Sequence, residues 1–371
     1  MKLAHEFTWI RDDDALAALC IDCASRDAVF IDTEFVRRTT FFAKVGLIQI
    51  ATGEHYYLVD PLLIDNWQPL QALLTNTAVV KVMHSCSEDV DVFYNLLGVE
   101  PTPLFDTQIA CAIAGLDYGL GFAKMAAHFC DIELDKGETT SDWIARPLTD
   151  SQCQYAVADV VWLIPCYRQL MSLLTEQGRV DWVIEDSAHM VRNHVCMQSA
   201  DSLYKRMKGI GNLNSRQLAV CKYVCAWRDE IARELDRPKT RVISDSEIIS
   251  LAKKPPYDAR DLENYGFAYG WMKRYAKPAL AAVRLGQNEA EADCPSYTDY
   301  ERQAKQLLVA LRTEVKATAS QLQLPDTALA GKKDLLSLLA SVKQTDALNP
   351  EMLGWRKTLV GDKLAQIVRD F

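Results

Sequence analysis

The sequence has no apolar run approaching the roughly 20 residues of a membrane-spanning helix. Its opening stretch, MKLAHEFTWIRDDDALAALC, also lacks the basic start, apolar centre and small-residue cleavage site of a secretory signal. We therefore expect a cytoplasmic protein without a membrane partner. A G-x-x-x-x-G-K-[ST] motif is absent too, which argues against a helicase that binds nucleotides through this loop.

The eleven cysteines lack the pairing of a structural zinc site. Cys20 and Cys23 form a C-x-x-C pair, but the candidate second pair, Cys221 and Cys225, lies on a helical pattern far down the chain. Most of the others lie in apolar segments such as QIACAIAG, as reduced thiols in a reducing compartment do. The cysteines are therefore predicted to pack in hydrophobic cores.

Positive charge is scarce overall, because 41 lysines and arginines face 50 acidic residues and the net charge is −9. This total alone argues against a nucleic-acid partner. Residues 204–287, however, hold 17 lysines and arginines against 9 acidic residues. This basic segment is either the solvated face of several helices or a surface that follows a phosphate backbone.

The 371 residues are 49% hydrophobic and 25% charged, which is enough for two or three globular domains. Four strand-like patterns, AVFIDTEFV, VGLIQIAT, HYYLVD and AVVKVMH, precede helical ones. They predict an α/β domain with a mixed sheet that ends near residue 195. The remainder is predicted helical, and two parts of it share the order of a long helix, a proline-containing turn and a second helix, which hints at duplication.

Helix boundaries follow from capping signals. Capping boxes are predicted at Thr149-x-x-Gln152 and at Ser85-x-x-Glu88. Asp106 is predicted to be an N-cap, and Gly98 is expected to end the helix that follows AVVKVMH.

Two carboxylates interrupt the strand AVFIDTEFV. Asp32 and Glu34 are two residues apart, so they emerge on the same face of the strand. Removing two neighbouring like charges from water costs several kcal/mol unless a cation compensates them. The pair therefore indicates either a divalent metal site or an edge strand with a solvated face.

Further acids follow other elements. Asp89 is placed in the first turn of a helix after a strand, where α/β sheets form their sites. Tyr155 and Asp159 are four residues apart on the helix that begins after Thr149, so they share one face. The four acids could converge on one site. The alternatives are a helix-dipole role for Asp89 and a solvated face for Tyr155 and Asp159.

Three segments resemble the motifs of the DEDD exonuclease superfamily: DTEF at 32–35, HSCSEDVDVF at 84–93 and YAVADV at 155–160. The Tyr-x-x-x-Asp form of the third motif resembles the tyrosine branch. GLIQIATGEHYYLVDPL, LFDTQIACA and LDKGETTSDWIARPLT are similar to the bacterial ribonuclease D family. This resemblance implies a ribonuclease H-like α/β exonuclease domain, with a mixed sheet flanked by helices, followed by two small all-α HRDC-like domains. The expected boundaries are 1–195, 208–290 and 296–371.

The resemblance also implies a catalytic apparatus that uses two divalent cations, Mg²⁺ or Mn²⁺. Asp32, Glu34 and Asp159 would hold the cation that activates water, and Asp32 with Asp89 would hold the cation at the leaving 3′ oxygen. Tyr155 would orient the attacking water. Carboxylate oxygens suit such hard cations, which agrees with the residues themselves.

The implied activity is 3′–5′ exonuclease hydrolysis that releases 5′-mononucleotides one at a time. The implied partner is RNA with a single-stranded 3′ end, such as a tRNA precursor, with no obligatory protein partner. A DNA 3′–5′ exonuclease and a catalytically silent nucleic-acid-binding protein are the alternatives. Candidate RNA contacts, for which a structural or solvated role is the alternative, are Phe35, Lys136, Arg228, Arg237, Lys239 and Arg241.

Overall fold

The computed structural model describes residues 5–53, 55–134, 137–196, 199–289, 294 and 305–371. The chain divides into two compact units. The first unit comprises residues 1–37, 43–194 and 316–331, and the second comprises residues 38–42, 195–315 and 332–371.

The first unit is built on a six-stranded mixed sheet in the order β1-β4-β3-β2-β5-β6. β3 pairs antiparallel with β2 and β4, and the other neighbours are parallel. The four strands expected from sequence are present, whereas β1 and β6 have three residues each, too few to show alternation. The strands are β1 Thr8–Ile10, β2 Ala28–Val36, β3 Lys44–Ala51, β4 Tyr56–Val59, β5 Val80–Met83 and β6 Leu104–Asp106.

Helices cover both faces of this sheet. Leu47 and Leu58 on one face pack with Trp143 and with Ala156 of the longest helix, while Ile48 and Ile50 on the other face join a separate core. The expected α/β domain with a mixed sheet is therefore present. The helices are α1 Asp13–Ala24, α2 Gln68–Thr75, α3 Ser87–Leu97, α4 Thr107–Ile113, α5 Phe122–Cys130, α6 Asp150–Gln177 and α7 Val180–Cys196.

Helix α6 is fixed at both ends. The Thr149 hydroxyl accepts the Gln152 N–H at 3.2 Å and the Gln152 side chain accepts the Thr149 N–H at 2.9 Å, which confirms the predicted capping box. The helix continues through Pro165 and ends at Gly178, whose φ is 67°. Among the described residues, α6 is the one helix long and apolar enough to cross a membrane, but its apolar residues pack against the sheet as those of a core helix do.

The turn between β5 and α3 differs from the expected capping box. Helix α3 begins at Ser87, and its N-cap residue Cys86 makes no side-chain capping bond, so the prediction for Ser85 and Glu88 was wrong. Asp106 organises this turn instead: its carboxylate accepts the backbone N–H groups of Ser85 at 3.1 Å and Cys86 at 3.0 Å. Asp106 also caps α4 as predicted, and Gly98 ends α3 with a φ of 71°.

A partly buried ion pair fixes the segment that precedes α6. The Arg146 guanidinium donates two hydrogen bonds to the Asp60 carboxylate, at 2.7 and 2.8 Å, and a third to the Gly46 carbonyl at 2.7 Å. The backbones of β3 and of this segment approach so closely that a Cβ atom on Gly46 would lie 2.3 Å from the Trp143 carbonyl oxygen.

The second unit is helical, with a core around Leu218, Val224, Ile248 and Val283. Capping boxes start two of its helices, with Asn214 and Ser244 as the N-caps. The helices of this part of the chain are α8 Ser215–Glu234, α9 Lys239–Val242, α10 Asp245–Lys253, α11 Ala259–Glu263, α12 Tyr269–Asn288, α13 Lys305–Leu322, α14 Asp326–Leu329, α15 Lys332–Thr345 and α16 Asp362–Asp370.

The backbone repeats one local geometry. After α8, a proline N-cap with φ −53° and ψ 136° opens the four-residue α9, which ends at a residue with φ −161°. After α13, a proline N-cap with φ −58° and ψ 135° opens the four-residue α14, which ends at a residue with φ −162°. This match agrees with the order of features that hinted at duplication in the sequence.

We predict that Gly46→Ala destabilises the first unit by about 2–3 kcal/mol, because the added methyl group would meet the Trp143 carbonyl and force two backbones apart. Thermal and urea unfolding of the variant would measure the loss. Gly270→Ala is the control, since nothing lies within 4 Å of its Cβ position. An unchanged midpoint for Gly46→Ala would contradict the close approach of the two segments.

Candidate active site

Three of the predicted acids meet at one point. Carboxylate oxygens of Asp32, Glu34 and Asp159 all lie within 4.8 Å of one another. β2 pairs with β5 over Ala28–Phe30 and then runs on, so Asp32 and Glu34 extend past that pairing, and α6 brings Asp159 to them. β2 lies in the middle of the sheet, so the alternative of an edge strand for Asp32 and Glu34 was wrong.

Asp89 completes the group from the first turn of α3. It is 8% exposed, and the Thr33 hydroxyl donates a hydrogen bond to its Oδ1 atom. It lies outside the tight set formed by the other three acids, but its charge raises the pKa of Asp32 and of Glu34. The four acids predicted from sequence thus belong to one electrostatic cluster.

Burial is the largest cause of the raised pKa values in this cluster, and the neighbouring carboxylates add to it for Asp32 and Glu34. The pKa of Asp32 lies well above its usual range, and that of Glu34 is about 9. The pKa of Asp159 is raised to about 7 and that of Asp89 to about 6. Protons or a cation must relieve this repulsion. All the donors are oxygen atoms, so the residues fit a hard divalent cation such as Mg²⁺ or Mn²⁺.

Tyr155 lies one turn before Asp159. Burial, followed by the charge of Asp159, raises its pKa to about 12, so the phenol keeps its proton at neutral pH. The phenol shares a hydrogen bond with the side chain of Thr139, and its ring lies 6.1 Å from the Trp143 ring. Tyr155 is therefore held as a hydrogen-bond donor beside the acids and cannot act as a base near neutral pH.

Two clefts reach Tyr155 and Asp159. The first, here called the acidic cleft, has a volume of about 660 Å³ and is lined by Glu133, Glu138 and Asp150 in addition. The second, here called the Tyr118 cleft, has a volume of about 590 Å³ and is lined by residues 117–124 together with Leu134 and Thr139. Both volumes are in the range of small-ligand sites.

Sequence reasoning missed several supporting residues. Thr33 and Thr139 bond to Asp89 and Tyr155, and Asp106 shapes the turn that positions Asp89. Thr33 lies within DTEF, but it is on the face of the strand opposite Asp32, so the sequence did not indicate its hydrogen bond to Asp89. His84 lies 2.9 Å from the Thr107 hydroxyl through Nδ1 and is not in the set of closely spaced acids.

The candidate RNA contacts in the second unit differ in their exposure and in their ion pairs. Arg228 is 7% exposed and bonds to Asp245 at 2.7 Å and to the Ile243 carbonyl, so its burial does not suit a phosphate contact, and we correct that expectation. Lys239 pairs with Asp229 at 2.5 Å. Arg237 and Arg241 are exposed.

The two remaining candidates for RNA contacts are Phe35 in β2 and Lys136. Phe35 is half-buried against the core of the sheet, and the Arg37 guanidinium lies 6.0 Å from its ring. Lys136 lies outside the described residues.

Known proteins match this architecture along nearly the whole chain. A family model described as 3′-5′ exonuclease matches residues 7–175, and an HRDC domain model matches residues 217–283. Ribonuclease D of Pseudomonas paraeruginosa is 37% identical over 97% of both chains. The chain belongs to the ribonuclease D family. Membership in this family supports hydrolysis of RNA from its 3′ end.

Solved structures agree with the ribonuclease D fold. The crystal structure of Escherichia coli RNase D, described as an exoribonuclease involved in structured RNA processing, has a TM-score of 0.87 and 31% identity over 99% of this chain and 100% of that one. The catalytic core of RRP6 from Trypanosoma brucei has a TM-score of 0.57 and 25% identity over 77% of this chain and 81% of that one. The expected fold class, an α/β exonuclease domain followed by HRDC helices, is therefore confirmed.

We predict that Mn²⁺ raises the melting temperature more at about pH 8 than at about pH 6. In the metal-free folded protein the pKa is about 9 for Glu34 and about 7 for Asp159. In an unfolded chain both side chains lose their protons near pH 4. The folded state therefore binds more protons over this window, and its stability falls as the pH rises through it. A bound cation offsets that loss.

Thermal melts with chelator and with Mn²⁺ at both pH values would measure the difference. Glu34→Gln removes the group with the pKa of about 9, so it should weaken the pH dependence of the metal-free protein. An equal Mn²⁺ effect at both pH values would show that the acids are not protonated as described.

Proposed function

We propose that this chain is a metal-dependent 3′–5′ exoribonuclease that releases 5′-mononucleotides one at a time from RNA with a single-stranded 3′ end. The convergence of Asp32, Glu34 and Asp159 beside Asp89 and Tyr155 carries this proposal. We include the 3′ ends of tRNA precursors and other small RNAs among the substrates, and we place the enzyme in the cytoplasm.

The chain's own residues have distinct roles in this reaction. Asp32, Glu34 and Asp159 would hold one divalent cation, and Asp32 with Asp89 would hold a second. When bound, such cations lower the pKa of water and stabilise charge on phosphate oxygens. Tyr155, with its high pKa, donates a hydrogen bond that orients the attacking water. Thr33 orients the Asp89 carboxylate by donating to Oδ1.

Affinity for RNA is supported by the basic segment in the second unit. Arg237 and Arg241 are exposed, and the Tyr257 and Tyr269 side chains are 84% and 83% exposed. Cations and exposed aromatic rings together bind single strands without reading sequence. We propose domain boundaries of 1–195, 208–290 and 296–371, and the repeated geometry after α8 and α13 supports a second HRDC-like domain.

A 3′–5′ exonuclease acting on DNA would use the same acids, so the cleavage rates on RNA and on DNA must be compared. A time course on 5′-labelled RNA with a single-stranded 3′ tail, beside DNA of the same sequence, tests substrate and polarity together. We expect a ladder that shortens from the 3′ end, is faster on RNA and disappears with chelator. Intact RNA with every divalent cation, despite measurable binding, would favour a catalytically silent binding protein.

Asp159→Asn should lower the cleavage rate at least about a thousandfold, because it removes one carboxylate of the cluster. RNA binding, measured by fluorescence anisotropy, should change less than about threefold, since phosphate contacts dominate affinity. Glu176→Gln neutralises an exposed acid at the far end of α6 and is the matched control. Equal loss of cleavage and binding would make Asp159 a structural residue.

A further inference from the structure

The acidic cleft and the Tyr118 cleft differ in charge although both reach Asp159. Of the residues that the structure describes, Glu133, Glu138 and Asp150 line the acidic cleft in addition to Asp159, whereas Asp117 is the one further acid that lines the Tyr118 cleft. Lys124, a cationic residue, and the first turn of α5, whose dipole is positive at this end, also line the Tyr118 cleft. A phosphate backbone therefore meets less repulsion in the Tyr118 cleft.

Tyr118 gives this cleft an aromatic surface. Tyr118 lines the cleft and is 64% exposed, so its ring is accessible from solvent. The ring is carried on a short turn, because Gly119 adopts a φ of 73° that few other residues tolerate. An exposed ring of this kind can stack on any base, since every base presents a π face.

We propose that the Tyr118 cleft binds the RNA strand on the 5′ side of the scissile phosphate, with the Tyr118 ring stacked on one base and Lys124 near a phosphate. The inference rests on the proposed function, because it takes RNA as the substrate. The 5′ side is the longer part of the strand and carries more phosphates, so it occupies the cleft with fewer carboxylates.

Binding of a single-stranded RNA to the Asp159→Asn protein tests this site without cleavage. Tyr118→Ala should weaken binding about 5- to 100-fold, the range for loss of one base stack, while Tyr118→Trp should restore it. Lys124→Met should reduce the slope of log affinity against log salt by about 0.7, as loss of one phosphate contact does. Tyr94→Ala, an exposed tyrosine on α3 that lines neither cleft, is the control.

An RNA scanned with single abasic nucleotides locates the stacked base. At one position upstream of the 3′ end, removal of the base should weaken binding to the Asp159→Asn protein. The same abasic RNA should bind the Asp159→Asn, Tyr118→Ala protein no more weakly than the intact RNA does, because the stacking contact is already lost. If Tyr118→Ala leaves RNA binding unchanged while the wild-type enzyme still shortens RNA from its 3′ end, the Tyr118 cleft is not the binding site, and the proposed function is unaffected. Loss of the ladder itself would overturn the proposed function instead.

A second, independent observation concerns Gln49. It is paired with Asp32 across β2 and β3, so both side chains lie on the same face of the sheet. Gln49 is fully buried, and neither its Oε1 nor its Nε2 atom has a hydrogen-bond partner among the described residues. A buried amide is nearly always bonded, so this one is oriented for a partner that the protein alone does not supply.

We infer that Gln49 is a positioning residue that donates through Nε2, directly or through one buried water, to the Asp32 carboxylate when a cation is held there. Gln49→Leu keeps the size of the side chain and removes the amide. Without metal it should raise the melting temperature by about 2–4 °C, because it removes an unpaired polar group. With metal it should weaken Mn²⁺ binding about tenfold by titration calorimetry, as loss of an outer partner does.

These two readouts separate the positioning role from a structural one. A lower melting temperature without metal would show that the amide already has a partner, and unchanged Mn²⁺ affinity would show that it does not act through Asp32. Gln108→Leu is the control, because its side chain bonds to the Leu120 carbonyl at 3.2 Å and is remote from β2 in the sequence and the sheet. That variant should lower the melting temperature and leave Mn²⁺ affinity unchanged.

Discussion

Repulsion among closely spaced, partly buried carboxylates is the interaction on which the rest of the first unit depends. Two unit charges about 4.8 Å apart repel by about 3–4 kcal/mol at the effective dielectric constant of a protein. Three such pairs would consume much of the 5–15 kcal/mol that stabilises a typical domain. The acids can therefore stay together only with protons or cations bound, and the surrounding fold must hold them in place in either state.

Polar groups outside the cluster provide that support. Asp106 holds the turn before α3, Thr33 holds the Asp89 carboxylate, and the Thr149 capping box fixes the start of α6. Arg146 and Asp60 secure the segment that leads into α6. Each of these groups is bonded within the protein, so the support does not depend on a cation, whereas the side-chain amide of Gln49 has no hydrogen-bond partner in the described part of the chain. The bonded groups therefore hold the site in place, whereas the Gln49 amide remains available for a hydrogen bond when a cation is bound.

The sequence predicted most elements that carry a strong local signal. β2 has the predicted bounds, and the Thr149 capping box is present, because alternation and capping depend on residues close in sequence. β1 and β6 are too short to show a period. The turn at Ser85 was missed because its hydrogen bonds come from Asp106, which lies 21 residues away. Thr33 and Gln49 could be recognised only from the pairing of strands and the packing of helices around them.

Counting charges overstates the field of the second unit in part, because some of its cations are paired inside the unit. Arg228 contributes to the basic total, yet it pairs with Asp245 inside the unit. Lys239 and Arg233 share the carboxylate of Asp229. Such pairs cancel most of their own field, so the potential that an RNA strand would meet comes from cations like Arg237 and Arg241 that remain exposed. Most of the 17 lysines and arginines in residues 204–287 are nevertheless exposed. Charge therefore remains the main source of any RNA affinity of this unit, and the exposed rings of Tyr257 and Tyr269 add base stacking to it.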